Sequence, residues 1–179
     1  MSTTATINRQ DLYQALDSAF NSLITTVKAF KQDALNKVPY VGSWTAGQVV
    51  DHLLKSYGAI ETINGKVADT TRDPLQFDEG IKSQFLNFDV KMQSPDFIIP
   101  DKKSFSKEEE LSSLKENSNL LLTAANELDL SKTCLDFELP QVGALTRAEW
   151  LYFISYHTRR HVHQLQKIAA AIPHSQEDK

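Results

Sequence analysis

The histidines of this 179-residue chain are the side chains best suited to chemistry, and three of the five are predicted to face the interior. His157 and His161 are at i and i+4, which places their Cβ atoms about 5–6 Å apart on a helix. At about 100° of rotation per residue, both fall within roughly 60° of Ile154, on the apolar side. His52 lies on the apolar side of an earlier helix, whereas His163 falls on the solvent side.

Inward-facing histidines can be interpreted in two ways. A single buried imidazole is usually hydrogen-bonded to a neighbour in the core, and one left unpaired costs about 1–3 kcal/mol. One metal ion shared by His52, His157 and His161 would satisfy all three, as histidines at i and i+4 do in helical zinc sites. The spacing alone leaves both interpretations open. His163 and His174 are predicted to be bystanders.

Three neutral imidazoles would leave a coordination position open on an ion such as Zn²⁺ or Ni²⁺. Structural zinc sites usually fill four positions with protein ligands, whereas catalytic sites keep one for water or substrate. The single cysteine, Cys134, has no CxxC partner and is predicted to be a packed bystander. The predicted site is therefore open to an external ligand, although imidazole suits Zn, Cu, Fe and Ni alike.

Several other kinds of site are excluded by missing motifs. No histidine follows a glutamate by three residues, so a di-iron carboxylate bundle is excluded. The HExxH metalloprotease motif is absent because Thr158 follows His157, and no Walker A or GxGxxG sequence occurs. No general base can be assigned, because nothing in the pattern supports Tyr40, Tyr57 or Glu61.

The amino-acid composition limits the kinds of binding partner and the cellular compartment that are expected for this protein. With 23 acidic and 19 basic residues the net charge is −4, which gives no positive field for nucleic acid or anionic lipid. One cysteine suits a reducing compartment, so we expect a cytoplasmic protein. The first residues lack the basic start and apolar region of a signal peptide. The longest apolar stretches are shorter than the roughly 20 residues that cross a membrane.

Apolar residues at three- and four-residue steps predict four long helices, and most glycines and prolines lie between them. The predicted helices cover residues 9–31, 45–64, 106–128 and 146–172, and the last three begin with capping boxes. A short helix is predicted near residues 77–88, with 97–99 as a loop or short strand. This pattern predicts an all-α four-helix bundle with a long connection between helices two and three. Another all-α topology stays open, because the pattern does not fix how helices pack.

The chain is expected to form a single domain over residues 1–179, with its core at about 9–172 and a polar tail at 173–179. Near the histidines, Trp44 is predicted to pack as a hydrophobic staple on the second helix, with a pocket wall as the alternative. Arg159 and Arg160 are expected to be solvated or ion-paired, with binding of a substrate anion as the alternative. Asp51 points to a different face from its neighbour His52, which makes it a weak candidate for a residue that orients a ligand.

Two segments resemble the signature of a known family. Residues 44–54, Trp-Thr-Ala-Gly-Gln-Val-Val-Asp-His-Leu-Leu, resemble the second-helix signature of the DinB-like (YfiT-like) metal-binding four-helix bundles. Residues 156–161, Tyr-His-Thr-Arg-Arg-His, resemble the last-helix HxxxH motif of that family. Each motif is short, but their order and spacing fit, and the resemblance covers about residues 9–172.

The resemblance implies one divalent ion, often Ni or Zn, held by three histidines that match His52, His157 and His161. It implies that residues 64–105 supply the long connection, and that the protein acts on a small molecule as a homodimer. Characterised members include transferases and isomerases that use mycothiol, bacillithiol or similar low-molecular-weight thiols. Others are described only as candidate metal-dependent hydrolases, and many have no known activity, so the fold and the site transfer better than the reaction.

Three functions can be weighed. The first is a metal-dependent enzyme, in which the bound ion lowers the pKa of water for hydrolysis or of a small thiol for S-transfer. The second is a non-catalytic metal-binding or structural bundle with a role in stress. A closed, dry site would favour the second function and an open site the first. The third, a nucleic-acid binder, is disfavoured by the acidic balance.

Overall fold

Helices make up most of the chain in the computed structural model, which describes residues 6–172. In chain order the helices are α1 (Arg9–Ala29), α2 (Gln32–Leu35), α3 (Ala46–Tyr57), α4 (Ala59–Asn64), α5 (Asp78–Leu86), α6 (Lys107–Glu127) and α7 (Arg147–Ala171). A 3-10 turn covers Asp96–Ile98, and two short strands are β1 (Val67–Ala68) and β2 (Thr133–Cys134). The predicted polar tail at 173–179, with His174, lies outside the described residues.

The long helices begin where the capping signals predict. Thr45 and Gln48 form a reciprocal capping box at the start of α3, and Thr146 and Glu149 form another at the start of α7. Ser106 caps α6 by accepting from the Glu109 amide, but within residues 6–172 the return bond from the Ser106 amide to the Glu109 side chain is absent, so the predicted capping box is only half formed. These side chains satisfy amides that have no partner within their helix, so each helix start is fixed by local sequence.

Four long helical segments pack as a bundle, which confirms the predicted fold class. Helices α1 and α3 each pack against both α6 and α7, so the order around the bundle is α1, α7, α3, α6. Helices α1 and α3, the first two long helices in the chain, are therefore diagonal rather than adjacent, although only a short connection that contains α2 joins them. This arrangement places the inner faces of α3 and α7 side by side, and those faces carry the three inward histidines.

The predicted second helix differs from the observed one in the middle. We predicted a single helix from Thr45 to Asn64, but it is divided at Gly58 into α3 and α4. The Gly58 amide donates to the Lys55 carbonyl, and its carbonyl accepts from the Glu61 amide, both in the three-residue pattern of a tighter turn. Glycine is a weak helix former, which explains a break at this position.

The connections between the helices contain more structure than the sequence indicated. Helix α5 agrees with the predicted short helix. Residues 97–99, predicted as a loop or short strand, form no strand: Phe97 and Ile98 lie in the 3-10 turn, and Ile99 follows it. Strands β1 and β2 pair antiparallel and join the two long connections, with Val67 opposite Cys134. A two-residue strand has no detectable alternation, so its sequence carried no signal. Among residues 6–172, no helix has both the length and the apolar content required to cross a bilayer.

Candidate metal centre

The three inward histidines meet between α3 and α7. The Nε2 atom of His157 lies 3.0 Å from Nε2 of His52 and 3.0 Å from Nε2 of His161. The side chains are almost completely buried, with 1%, 5% and 8% of the surface exposed for His52, His157 and His161. In the described part of the chain, no other histidine, cysteine or carboxylate joins this group, which is called the histidine cluster below.

The Nδ1 atoms of His52 and His161, which point away from the centre of the cluster, each have a hydrogen-bond acceptor. His52 donates from Nδ1 to the Ile98 carbonyl at 2.9 Å, and His161 donates from Nδ1 to Oε1 of Gln164 at 2.7 Å. A neutral imidazole carries one proton, so a proton on Nδ1 leaves a lone pair on Nε2. These acceptors therefore aim two lone pairs at the centre of the cluster, as the carbonyls and carboxylates behind metal-bound histidines do.

His157 completes a set of nitrogens that cannot satisfy one another. Its Nε2 atom faces two lone-pair nitrogens, but it carries at most one proton and so cannot form a full hydrogen bond with both. If its proton lies on Nδ1 instead, three lone pairs converge, and that buried Nδ1 has no partner among residues 6–172. A cation bonded to all three Nε2 atoms would remove the conflict among these three nitrogens and leave the His157 proton on Nδ1, so the donor set fits a divalent metal ion.

An apolar shell surrounds the cluster. The ring of Phe153 stacks on His157 with centroids 5.3 Å apart, and Phe85 meets the same imidazole edge-on at 5.7 Å. The ring of Trp44 lies 5.1 Å from His52. Trp44 thus lines the histidine cluster, in agreement with the pocket-wall alternative for this residue. These rings exclude water and lower the local dielectric, which strengthens electrostatic interactions at the cluster.

Burial keeps the three histidines neutral. It lowers the pKa of His52, although the hydrogen bond to the Ile98 carbonyl opposes part of the effect. Burial also lowers the pKa of His157 well below its ordinary range, and the neighbouring imidazoles lower it further. The pKa of His161 falls to about 3, mainly because of burial. Neutral imidazole is the form that binds metal, so protons compete little for these nitrogens near pH 7.

The remaining predicted residues lie outside the cluster. His163 stacks on Phe88, with the ring centroids 4.4 Å apart. Asp51 pairs with Lys55 at 3.4 Å. Burial raises the pKa of the Cys134 thiol to about 11, so this cysteine is a protonated core residue.

The expectation for Arg160 was wrong. We expected a solvated or ion-paired side chain, but its guanidinium donates to the backbone carbonyls of Phe85, Asn87 and Val90. Arg159, in contrast, is exposed. Of the candidate bases, Tyr57 is hydrogen-bonded to Thr158 and its pKa is raised by burial, and Tyr40 and Glu61 are exposed. None of the three completes the histidine cluster.

Sequence reasoning missed the two acceptors behind the histidines. Gln164 could have been found, because it follows His161 by three residues and so lies on the same helix face. The Ile98 carbonyl could not, because its residue lies in a connection 46 positions from His52 and any residue type supplies a carbonyl.

Comparisons with known proteins agree with this architecture. The structure of YfiT from Bacillus subtilis, described as a probable metal-dependent hydrolase with an unusual four-helix bundle topology, superimposes with a TM-score of 0.59. The two chains are 16% identical, and the match covers 95% of this chain and 92% of YfiT, which establishes a shared fold. No protein of curated function matches the chain significantly.

The family is shown by the sequence itself. A profile of the DinB superfamily matches residues 15–165, which include all three members of the histidine cluster, all of α3 and most of α7. The match covers most of the chain. The chain belongs to the DinB superfamily.

Proposed function

We propose that the protein is a metal-dependent enzyme in which His52, His157 and His161 hold one divalent ion, with Ni²⁺ or Zn²⁺ as the favoured metal. The reaction class is hydrolysis or S-transfer from a low-molecular-weight thiol. One observation carries the proposal: three buried Nε2 atoms converge, two of them fixed as lone-pair donors, with too few protons to satisfy one another.

The number of ligands supports a catalytic role. Among the described residues the cluster has three members, so a four-coordinate ion would keep one position for water or another small molecule. An ion held by the three histidines would lower the pKa of a water or thiol bound to it and so would supply a nucleophile near neutral pH. The aromatic shell limits access of bulk water, and the acceptors behind His52 and His161 hold their rings in orientation.

Two observations bear on the choice of nucleophile. YfiT, which shares the fold, is described as a probable metal-dependent hydrolase, and this favours water. Relatives that use small thiols favour S-transfer. The chain cannot supply the sulfur nucleophile itself, because its one cysteine is buried and protonated. A thiol would therefore have to be a separate cosubstrate.

A non-catalytic metal-binding bundle is the second candidate, and the burial of the cluster favours it. With 8% or less of each histidine exposed, a substrate reaches the cluster only if a covering part moves. A stable, closed site would retain its ion for structure alone. The two candidates therefore differ in whether the cluster opens.

The test begins with metal content. Untagged protein, analysed for metals after purification, should contain about one divalent ion per chain, and a His52→Ala/His157→Ala/His161→Ala variant should contain almost none. Equal and substoichiometric metal in both proteins would contradict the site.

The metal-loaded protein is then assayed with ester and amide substrates, and with a generic electrophile in the presence of several small thiols. Turnover that disappears in the triple histidine variant supports the enzymatic function. Turnover of the esters or amides would identify water as the nucleophile, and turnover of the electrophile with a thiol would identify the thiol. Stoichiometric metal without turnover in any series favours the structural bundle.

We further propose a cytoplasmic homodimer that acts on a small molecule rather than on nucleic acid or a membrane. The cytoplasmic location rests on the single reduced cysteine, and the dimer on the family resemblance. Light scattering of the purified protein at several concentrations tests the oligomeric state, and a mass of about twice 20.2 kDa is expected.

A further inference from the structure

A segment with little regular structure lies against the histidine cluster. Residues 87–101 connect α5 towards α6 and contain one 3-10 turn, and Ile98 is the only buried residue in the segment. Its other large apolar side chains are mostly exposed, among them Phe88, Val90, Phe97 and Ile99. Because few apolar contacts hold the segment, separating it from the bundle should require less free energy than separating a long helix.

Two side chains of α3 hold one part of this segment. His52 donates from Nδ1 to the Ile98 carbonyl at 2.9 Å. One turn later, Lys55 donates to the Ile99 carbonyl at 2.8 Å and to the carboxylate of Asp101 at 2.9 Å. The turn is therefore fastened by a predicted metal ligand and by the lysine on the same side of the helix.

A side chain of α7 holds the other part. Arg160 donates to the carbonyls of Asn87 and Val90, the first at 2.8 Å, and it immediately precedes His161 in the chain. The contacts to the segment therefore come from both helices that carry the cluster. On each helix one donor is a cationic side chain close to a histidine of the cluster: Lys55 on α3 and Arg160 on α7. Backbone carbonyls are the main acceptors, so the attachment depends on the position of the segment more than on its side chains.

We propose that residues 87–101 form a strap that tightens over the cluster when a divalent ion binds, and that Lys55 is a positioning residue that holds Ile98 against His52. This inference rests on the proposed metal site and adds a coupling between that site and the strap. Opening of the strap would provide the access that a buried cluster otherwise lacks.

The coupling follows from the chemistry of one imidazole. An ion bound at Nε2 of His52 requires the ring proton to be on Nδ1, the atom that faces the Ile98 carbonyl. The positive charge of the ion polarises the ring, so Nδ1–H becomes a stronger donor and the bond to the strap strengthens. Thermodynamic linkage makes this reciprocal: a strap held in place raises the affinity for metal by the same factor.

Hydrogen–deuterium exchange of the full chain, with and without Zn²⁺, tests the strap directly. The hydrogen-bonded amides of the segment, Val90, Ile98 and Ile99, should exchange about 10-fold more slowly with zinc. Partners behind metal ligands change metal affinity by about 10-fold or more, and linkage transfers the same factor to opening of the strap. Residues 128–132 serve as the internal control, because this irregular connection packs at the start of α7 and touches none of the three histidines. Its exchange should not change.

The role of Lys55 needs a matched background, because the same lysine pairs with the buried Asp51. Zinc affinity is therefore compared between Asp51→Asn and Asp51→Asn/Lys55→Met, which avoids leaving an unpaired buried carboxylate. The dissociation constant should rise about 10-fold in the double variant. Lys55→Arg in the same background should restore most of the affinity. Lys132→Met is the control, because Lys132 pairs with Asp69 in a different connection.

The outcomes separate the two proposals. Absence of zinc binding by the wild-type chain would overturn the metal site and the coupling together. Zinc binding with unchanged exchange at residues 88–101 would overturn the strap and leave the metal site intact. Equal zinc affinities in the Asp51→Asn protein with and without Lys55→Met would overturn the positioning role. Slower exchange confined to the strap, with weaker zinc binding only on loss of Lys55, supports the inference.

Discussion

Helix α7 contributes to two buried polar clusters that are built in opposite ways. Near its start, the fully buried carboxylate of Glu149 accepts hydrogen bonds from the two terminal nitrogens of Arg72, at 2.9 and 2.7 Å. It also accepts from the backbone amides of Phe77 and Thr146, at 2.8 and 2.9 Å. Two turns later, three Nε2 atoms of the histidine cluster face one another with at most one proton among them. The first cluster is complete within the chain, whereas the second is the proposed site of a cation.

This difference distinguishes buried polar groups that stabilise the fold from buried polar groups that are available to bind a ligand. A satisfied network stabilises the fold only while every member is present, because each donor then has an acceptor. In a cluster with too few protons, the nitrogen lone pairs repel one another, and a bound cation can remove that repulsion. The Glu149 network fastens the connection after β1 to α7, whereas the histidine cluster links α3 and α7 through one contact, between the Nε2 atoms of His52 and His157. The following predictions test this contrast, from the largest expected effect to the smallest.

The largest loss of stability is expected at Glu149. Glu149→Gln replaces an acceptor oxygen by a donor and leaves Arg72 without its paired charge in a mostly buried site. Removing one partner of a buried ion pair costs about 3–5 kcal/mol in free energy of unfolding. Urea unfolding measures this change, and Glu79→Gln, at an exposed carboxylate, should change stability by less than about 0.5 kcal/mol. A loss below about 1 kcal/mol at Glu149 would contradict its structural role.

Metal should stabilise the fold through the second cluster alone. At a free zinc concentration 100 times the dissociation constant, binding contributes about 2.7 kcal/mol to the free energy of unfolding. The same increment is expected in Glu149→Gln, because about 12 Å of helix separates that residue from His157 and distant sites behave additively. The triple histidine variant should show no increment. A zinc effect that persists in that variant would place the metal elsewhere.

The parts of the site that lie on long helices were predictable from sequence. The capping signals at Thr45 and Thr146 fix where α3 and α7 begin, and the 3.6-residue period then fixes which side chains face inward. That was sufficient to identify His52, His157 and His161, because the helical period converts spacing directly into direction.

The parts that lie in connections were not predictable. Arg72 reaches Glu149 across 77 positions, and Ile98 reaches His52 across 46, through segments with no period. Such contacts depend on how the chain returns to the bundle, which the helical pattern does not encode. The acceptor at Ile98 is a backbone atom and carries no sequence signal at all. The break at Gly58, by contrast, had a signal in the weak helix propensity of glycine.

Acid should destabilise the metal-free fold through the histidine cluster. Burial lowers the folded-state pKa of all three histidines below the ordinary value of 6.5, and that of His161 to about 3. Between those values the unfolded chain binds more protons than the folded chain, so stability rises with pH. In the presence of a chelator, thermal unfolding should occur at progressively lower temperature from about pH 6.5 towards pH 3. The triple histidine variant should show a shallower dependence, and equal slopes would contradict the burial of neutral rings.

The smallest change in stability, measured without metal, is expected from His157→Phe. The ring remains large and apolar against Phe153, while the unpaired Nδ1 and the crowded Nε2 are both removed. Replacing under-satisfied buried polar atoms by an apolar group of similar shape is nearly neutral or stabilising, so the change should lie within about 1 kcal/mol of zero. Urea unfolding in the presence of a chelator measures it, and the increment from zinc should disappear. A loss as large as that at Glu149 would show that the metal-free histidine cluster already supports the fold. A change near zero would show that the two buried clusters to which α7 contributes differ because only one finds its partners within the chain.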